Sequence, residues 1–300
     1  MTLLLDPALL TRLATLSFHT RRPRRGQVQG ERRSTKRGTS VEFADYREYT
    51  RGDDLRRVDW NIYARLERPF VKLFEEEEDL AVHVLLDGSG SMGWRGGEET
   101  EGQGDKWDYA RRLAAALGYV ALVGGDRLRV TLLRGGEVAA TFGPVRGQGN
   151  ALRLFRWLEG LEAEGTTDLN AALRAYAFAG GRAGLAVLIS DLFSPTGYVE
   201  GLTALAARGH EVALLHLLTP DEVDPPLGGD LRLVDVETGE TQEVTVDGGM
   251  RSLYRRRLAA WQEEIRAACR TRDGLYVPLT TAIPLDRLLL HRLRRVHLLR

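Results

Sequence analysis

Residues 80–92 read LAVHVLLDGSGSM. An apolar run with one histidine in it ends abruptly at Asp87, and a loop of Gly and Ser follows. A short apolar run bounded by polar residues is the signature of a strand buried on both faces, as in a parallel sheet. The reading extends outward from there. GLAVLISD (184–191) and HEVALLHLL (210–218) have the same make-up, and the first again ends in an aspartate. Between them lie segments with helical apolar spacing: 105–125, 149–161, 166–181 and 194–209. Asp105 is placed to cap the first, and Gly124 and Gly125 to stop it. DRLRVTLLRGGEVAATF (126–142) reads as two strands joined at Arg134-Gly135-Gly136. Strands alternating with helices predict a doubly wound, mostly parallel α/β sheet with helices on both faces.

The remainder is read from the same signals. Residues 231–246 predict a hairpin turning at Thr238-Gly239, 249–272 a long helix, 275–279 a last short strand and 284–295 a terminal helix. Upstream of the decisive run, residues 20–38 are strongly basic and residues 39–74 are dense in aromatics, with Arg and Asp between them. Such a segment is expected to bury its rings and pair its charges. The expected organisation is therefore a small accessory segment over 1–78 and the α/β domain over 79–300.

Composition narrows the function classes. Lys plus Arg and Asp plus Glu are 42 each, so bulk charge suggests neither a nucleic-acid nor a membrane role. No stretch reaches the roughly 18 apolar residues of a membrane helix. The apolar start, residues 1–16, is broken by Asp6 and Pro7 and does not read as a signal peptide. The one cysteine, Cys269, lies in a helical pattern and reads as a buried thiol. These features lead to an expectation of a cytoplasmic protein. Two sets invite over-reading. Arg51-Gly52-Asp53 spells an adhesion tripeptide, but Gly52-Asp53-Asp54 reads better as a turn with Asp53 or Asp54 bonding local backbone, and the acidic run 75–79 as a solvated face.

The chemistry concentrates in Asp87-Gly88-Ser89-Gly90-Ser91-Met92. In open α/β sheets ligands collect at the carboxyl ends of the strands, where strand order reverses. A loop there with one carboxylate and two hydroxyls, spaced two apart, can aim three oxygens at one point. Oxygen donors suit a hard cation such as Mg²⁺, with Mn²⁺ or Ca²⁺ as alternatives. Thr166 and Thr167 precede a helix in GTTDLNAAL, and Asp191 ends the next core strand. Adjacent parallel strands would bring Asp191 close to Asp87.

DGSGSM, the GTTDL turn and ISD together resemble the metal-ion-dependent adhesion site of von Willebrand A domains. The resemblance implies that Ser89 and Ser91 are the metal-ligating serines, Asp87 the first aspartate and Asp191 the last. Thr167 aligns with the family threonine when the Ala-Leu that follows is used as the anchor. Where that family often has Thr-x-Thr, this chain has Thr167-Asp168-Leu169. The segment EFADYREYTRGDDLRRVDWNIYARLERPFVKLFEEEEDLAVHVLLDGSGSM (42–92) further resembles the signature of a bacterial family, domain of unknown function 58. That family pairs such a segment with a von Willebrand A-like domain, and its members are commonly associated with MoxR-type AAA+ ATPases.

The expected role is metal-dependent binding of a partner that offers an Asp or Glu carboxylate, with a MoxR-type ATPase as the implied partner and no catalysis. Two other classes stand beside it. A phosphatase of the haloacid-dehalogenase kind would use Asp87 as nucleophile, but it needs a second Asp where Ser89 stands. Nucleic-acid binding would use the basic residues 21–37, which no aromatic interleaves.

Overall fold

The computed structural model describes residues 4–20, 42–50, 53, 55, 58–75, 80–94, 105–226 and 228–300. The chain divides into two compact units, one of Met1–Arg21 with Leu80–Arg300 and one of Arg22–Asp79. This differs from the single upstream segment expected over 1–78. Helix α1 (Pro7–Leu13), capped by the Asp6 carboxylate on the Ala8 N–H at 2.9 Å, buries Leu9 and Leu13 in the core of the larger unit together with Leu5, Leu16 and Phe18. The larger unit takes in the chain's far end as well. Phe18 bridges to Leu299, and Ser17 and Arg300 exchange backbone hydrogen bonds.

The smaller unit contains strands β1 (Glu42–Glu48) and β2 (Phe70–Glu75), which pair antiparallel, with helix α2 (Trp60–Leu66) between them. The Asp59 carboxylate caps α2 through the N–H groups of Asn61 and Ile62 and accepts the Tyr46 hydroxyl at 3.1 Å. The expected charge pairing is present, with Arg47 on Asp53 at 2.8 Å. The Asp53 carboxylate accepts the Thr50 N–H at 2.9 Å, as the turn reading required. The expected burial of aromatics fails for Trp60, 60% exposed, and Tyr63, 45% exposed. None of the residues of α2 is buried. The basic residues 21–38, Arg51-Gly52 and the side chains of the acidic run lie outside the described residues.

The larger unit carries the predicted sheet. Its strands are β3 (Ala81–Asp87), β4 (Arg127–Arg134), β5 (Glu137–Val145), β6 (Leu185–Ser190), β7 (Glu211–Leu218) and, beyond a separate hairpin, β10 (Leu275–Thr280). They stand in the order β10-β7-β6-β3-β4-β5, all parallel except the edge strand β5. Strand β3 has β4 on one side and β6 on the other, so the strand order reverses beside it, at the position where open sheets form their ligand crevice. Alternation along β3 builds two layers. Val82, Val84 and Leu86 enter one core with helices α3 (Lys106–Val123) and α4 (Ala151–Glu159). Leu85 enters the other with α5 (Leu169–Phe178), α6 (Val199–Ala207) and α8 (Gly248–Arg270). The α/β doubly wound class is as read from the sequence.

Asp105 caps α3 through the Trp107 N–H at 2.9 Å, and Asp168 caps α5 through Ala171 at 2.8 Å. After β7 comes the single-turn helix α7 (Pro220–Val223), then the hairpin of β8 (Gly229–Val234) and β9 (Thr241–Val246). The last helical stretch, 285–295, widens into a π turn over Leu288–Arg292. Among the described residues no helix is long and apolar enough to cross a membrane.

Candidate metal centre

Strand β3 delivers Asp87 to its carboxyl end with 1% of the residue exposed. One carboxylate oxygen accepts the Ser89 N–H at 3.1 Å, and the other accepts the Ser190 hydroxyl at 2.6 Å from the end of β6. Leu86 pairs with Ile189 in register, so Ser190 stands beside Asp87 and Asp191 lies one residue beyond. Past Asp87 the chain makes a single 3₁₀ turn, Gly90–Gly93, which leaves the Ser89 and Ser91 hydroxyl oxygens 3.1 Å apart. The Gly90 N–H donates to the Gly165 carbonyl at 2.8 Å. A Cβ at Gly90 would stand 3.1 Å from that same oxygen, so glycine is what lets the two loops close on each other. This contact brings in Thr167, which is 8% exposed.

The five sequence-derived residues meet as follows. Asp87, Ser89 and Ser91 form one continuous run. Thr167 joins it through a shared carboxylate, that of Glu237, which accepts the Ser91 N–H at 3.3 Å and the Thr167 N–H at 2.9 Å. Asp191, fully buried, lies close enough for its charge to act on Asp87. Its carboxylate accepts the Phe193 N–H at 3.1 Å and the Lys106 ammonium at 2.7 Å.

Lys106, the first residue of α3, is the cation that sequence reasoning missed. It is 0% exposed and pairs with Glu222 at 2.6 Å as well as with Asp191. The Phe193 ring lies 5.5 Å from the ammonium, and Trp261 stacks on that ring. Burial alone would pull the lysine down, but Asp191 and Glu222 together outweigh it and hold it above its ordinary value. Glu222 is itself fixed by the capping box at the start of α7, where its carboxylate accepts the Thr219 N–H at 2.7 Å. The T-P-D-E spelling at 219–222 could have revealed that box, though not the lysine on it. Ser190 and Glu237 carried no readable signal.

The electrostatics are unbalanced on the Asp87 side. Burial first, and the Asp191 charge second, push Asp87 up to about 7, against the pull of its hydrogen bonds to Ser190 and Ser89. Among the described residues, no cation pairs with the Asp87 carboxylate. A divalent ion fits this donor set. The 3.1 Å between the Ser89 and Ser91 oxygens matches the edge of an octahedron with metal–oxygen bonds of about 2.1 Å, which is about 3 Å. The dication's charge would relieve the repulsion between the carboxylates. Among the described residues no three His, Cys, Asp or Glu gather into a ligand set. The cage here would rest on two carboxylates supplemented by hydroxyls.

Other titratable groups are built differently. His83 is held down at about 3 by burial and then by His210, with its ring nitrogens on the Tyr176 hydroxyl at 2.6 Å and the Arg182 carbonyl at 3.0 Å. His216 is held at about 4, again by burial, between the Tyr276 hydroxyl and the Asp191 carbonyl. Cys269 is buried and pushed up to about 11, which leaves it inert as a nucleophile.

Comparison with known proteins agrees with the resemblance to domain of unknown function 58. The model of the family described as "Protein of unknown function DUF58" matches residues 45–264. An uncharacterized protein of Mycobacterium bovis is 31% identical over 278 residues, covering 91% of this chain and 84% of that protein. Among solved structures, a conserved hypothetical protein, BatB from Bacteroides thetaiotaomicron, aligns with a TM-score of 0.43 at 17% identity, over 72% of this chain and 98% of that one. An aerotolerance-related membrane protein from Bacteroides fragilis aligns with the same TM-score of 0.43, also at 17% identity, over 72% of this chain and 99% of that one.

Proposed function

This chain belongs to the family of proteins of unknown function DUF58, and from that premise we propose that it is a protein-interaction module which presents a divalent cation to an acidic partner and catalyses no reaction. The observation that carries the proposal is the buried Asp87–Asp191 pair, short of positive charge on the Asp87 side and set beside two hydroxyls at octahedral spacing. Asp87, Ser89, Ser91, Thr167 and Asp191 would hold the ion. When bound, Mg²⁺ (Mn²⁺ and Ca²⁺ suit the same oxygens) supplies an electrophilic coordination position that a partner's Asp or Glu carboxylate fills.

This chain's own residues do the positioning. Ser190 fixes one oxygen of Asp87, and Lys106 neutralises one oxygen of Asp191 without touching Asp87's. Trp94 and Phe193, 43% and 40% exposed, follow Ser91 and Asp191 and offer aromatic area to a docking partner. Binding is favoured over turnover by the histidines and the cysteine. His83 and His216 are buried, neutral and engaged by neighbours, and Cys269 is buried as the thiol. A phosphatase acid/base is also missing at Ser89.

The partner we propose is a MoxR-type AAA+ ATPase acting in chaperone-like complex maturation, on the strength of the family resemblance. The test is capture of such an ATPase from the same organism on the immobilised full chain. Capture in Mg²⁺ is expected to vanish with EDTA and in Ser89→Ala. Undiminished capture under both conditions overturns the metal-dependent reading. Phosphomonoester turnover that disappears in Asp87→Asn overturns the choice of binding over catalysis.

A further inference from the structure

Hairpin β8–β9 is a poor candidate for a structural element. Its side chains are almost all exposed, and its two strands pair only with each other. Its tip is nevertheless built with care. The Asp235 carboxylate accepts the N–H groups of Glu237 and Thr238, both at 2.8 Å. The Gly239 N–H returns to the Asp235 carbonyl at 2.9 Å, with Gly239 at φ +73°. Within this exposed turn Glu237 alone points inward, half-buried between exposed neighbours. Its carboxylate spans the two loops of the candidate centre, one oxygen on the Ser91 N–H at 3.3 Å and the other on the Thr167 N–H at 2.9 Å.

Two main-chain amides from separate loops, each aimed at one oxygen of a single carboxylate, form a receptor for carboxylates in general. Charge-assisted bonds of this kind are the stronger class. We propose that Ser91 and Thr167 form a carboxylate clamp, that Glu237 fills it as a resident ligand in the free protein, and that an acidic side chain of the partner displaces Glu237 and frees the hairpin. The proposal rests on the reading of the site as a carboxylate receptor and adds the seat and its internal competitor. A tethered carboxylate competes at high effective concentration, so only a partner with further contacts would evict it. Exposed surface beside the seat, at Trp94 and Phe193, is where those contacts would form.

The experiment follows the amide resonances of Ser91 and Thr167 in the ¹⁵N-labelled full chain while sodium acetate is added, in wild type and in Glu237→Ala. Glu237→Ala is expected to respond to acetate at both amides at concentrations at least about ten-fold below any wild-type response. Amide exchange over 229–246 should also accelerate by about ten-fold once the anchor is gone. Unchanged resonances elsewhere show the fold intact. A separate arm adds Mn²⁺ alone and reads paramagnetic broadening around 87–91 and 191. If Glu237→Ala leaves both amides silent to acetate while Mn²⁺ broadens the site, the clamp is overturned and the metal reading stands. If acetate titrates both amides and Mn²⁺ broadens nothing, the clamp stands and the metal reading falls.

Discussion

His83 and Asp87 lie on the same strand, four residues apart and on the same face of the sheet, and both are almost fully buried. Their surroundings solve the problem of burial in opposite ways. His83 is neutral and has a partner on each ring nitrogen. Asp87 meets only neutral donors and faces the charge of Asp191. Satisfied burial of a polar group supports the fold and asks for nothing more. Burial that leaves charge unbalanced costs stability and is the mark of a site awaiting something. The contrast marks the sheet's carboxyl edge as the candidate site on energetic grounds, independent of motif.

The largest expected effect comes from removing the cation that pairs with Asp191. Lys106→Met leaves Asp191 and Glu222 buried together and is expected to cost about 3–5 kcal/mol in urea unfolding of the metal-free protein. Added Mg²⁺ should restore part of that loss, and a complete failure to do so would count against a cation site beside Asp191. Next comes a direct comparison at the two ends of the strand. His83→Leu strips partners from the Tyr176 hydroxyl and the Arg182 carbonyl and should cost about 1–3 kcal/mol while leaving the stabilisation by Mg²⁺ intact. Asp87→Asn should do the reverse, raising metal-free stability by about 1–2 kcal/mol at pH 8 and abolishing the Mg²⁺ effect. Equal behaviour of the two variants would dissolve the contrast.

The dependence on pH sharpens it. His83 and His216 are held at about 3 and about 4 in the fold, against 6.5 ordinarily. The unfolded chain takes up their protons first, so their contribution is complete above about 6.5 and is lost as pH falls toward 4. Asp87 sits at about 7 against 3.8, so the fold takes up its proton first, and its contribution is complete below 3.8 and lost as pH rises through 7. Between these limits the two effects oppose. Removing Asp87's share with Asp87→Asn should steepen the loss of stability on acidification by about 1.4 kcal/mol per pH unit. Urea midpoints in EDTA across that range would show it, and parallel slopes would refute it.

The strands and their terminal aspartates were legible because a buried strand must be apolar along its length, a requirement that local sequence displays. The meeting of Asp87 with Asp191 was legible through topology, since neighbouring parallel strands end together. Lys106 was not, because at the start of a helix it reads as one more solvated cation until its side chain is seen fully buried. Glu237 lies 146 residues from Ser91, and its segment announces only a turn. Leu5, Leu9 and Leu13 spell a buried helical stripe but do not say which core receives it, so α1 was assigned upstream with the accessory segment.

The placement of α1 in the larger unit has a practical corollary. The larger unit is discontinuous, with Arg22–Asp79 threaded between its first helix and its central strand. A deletion that simply begins the protein at residue 80 would strip Leu9, Leu13 and Phe18 out of its interior and leave Leu299 without its bridge. Excising the accessory unit while keeping the candidate site intact requires residues 1–21 to stay joined to Leu80–Arg300.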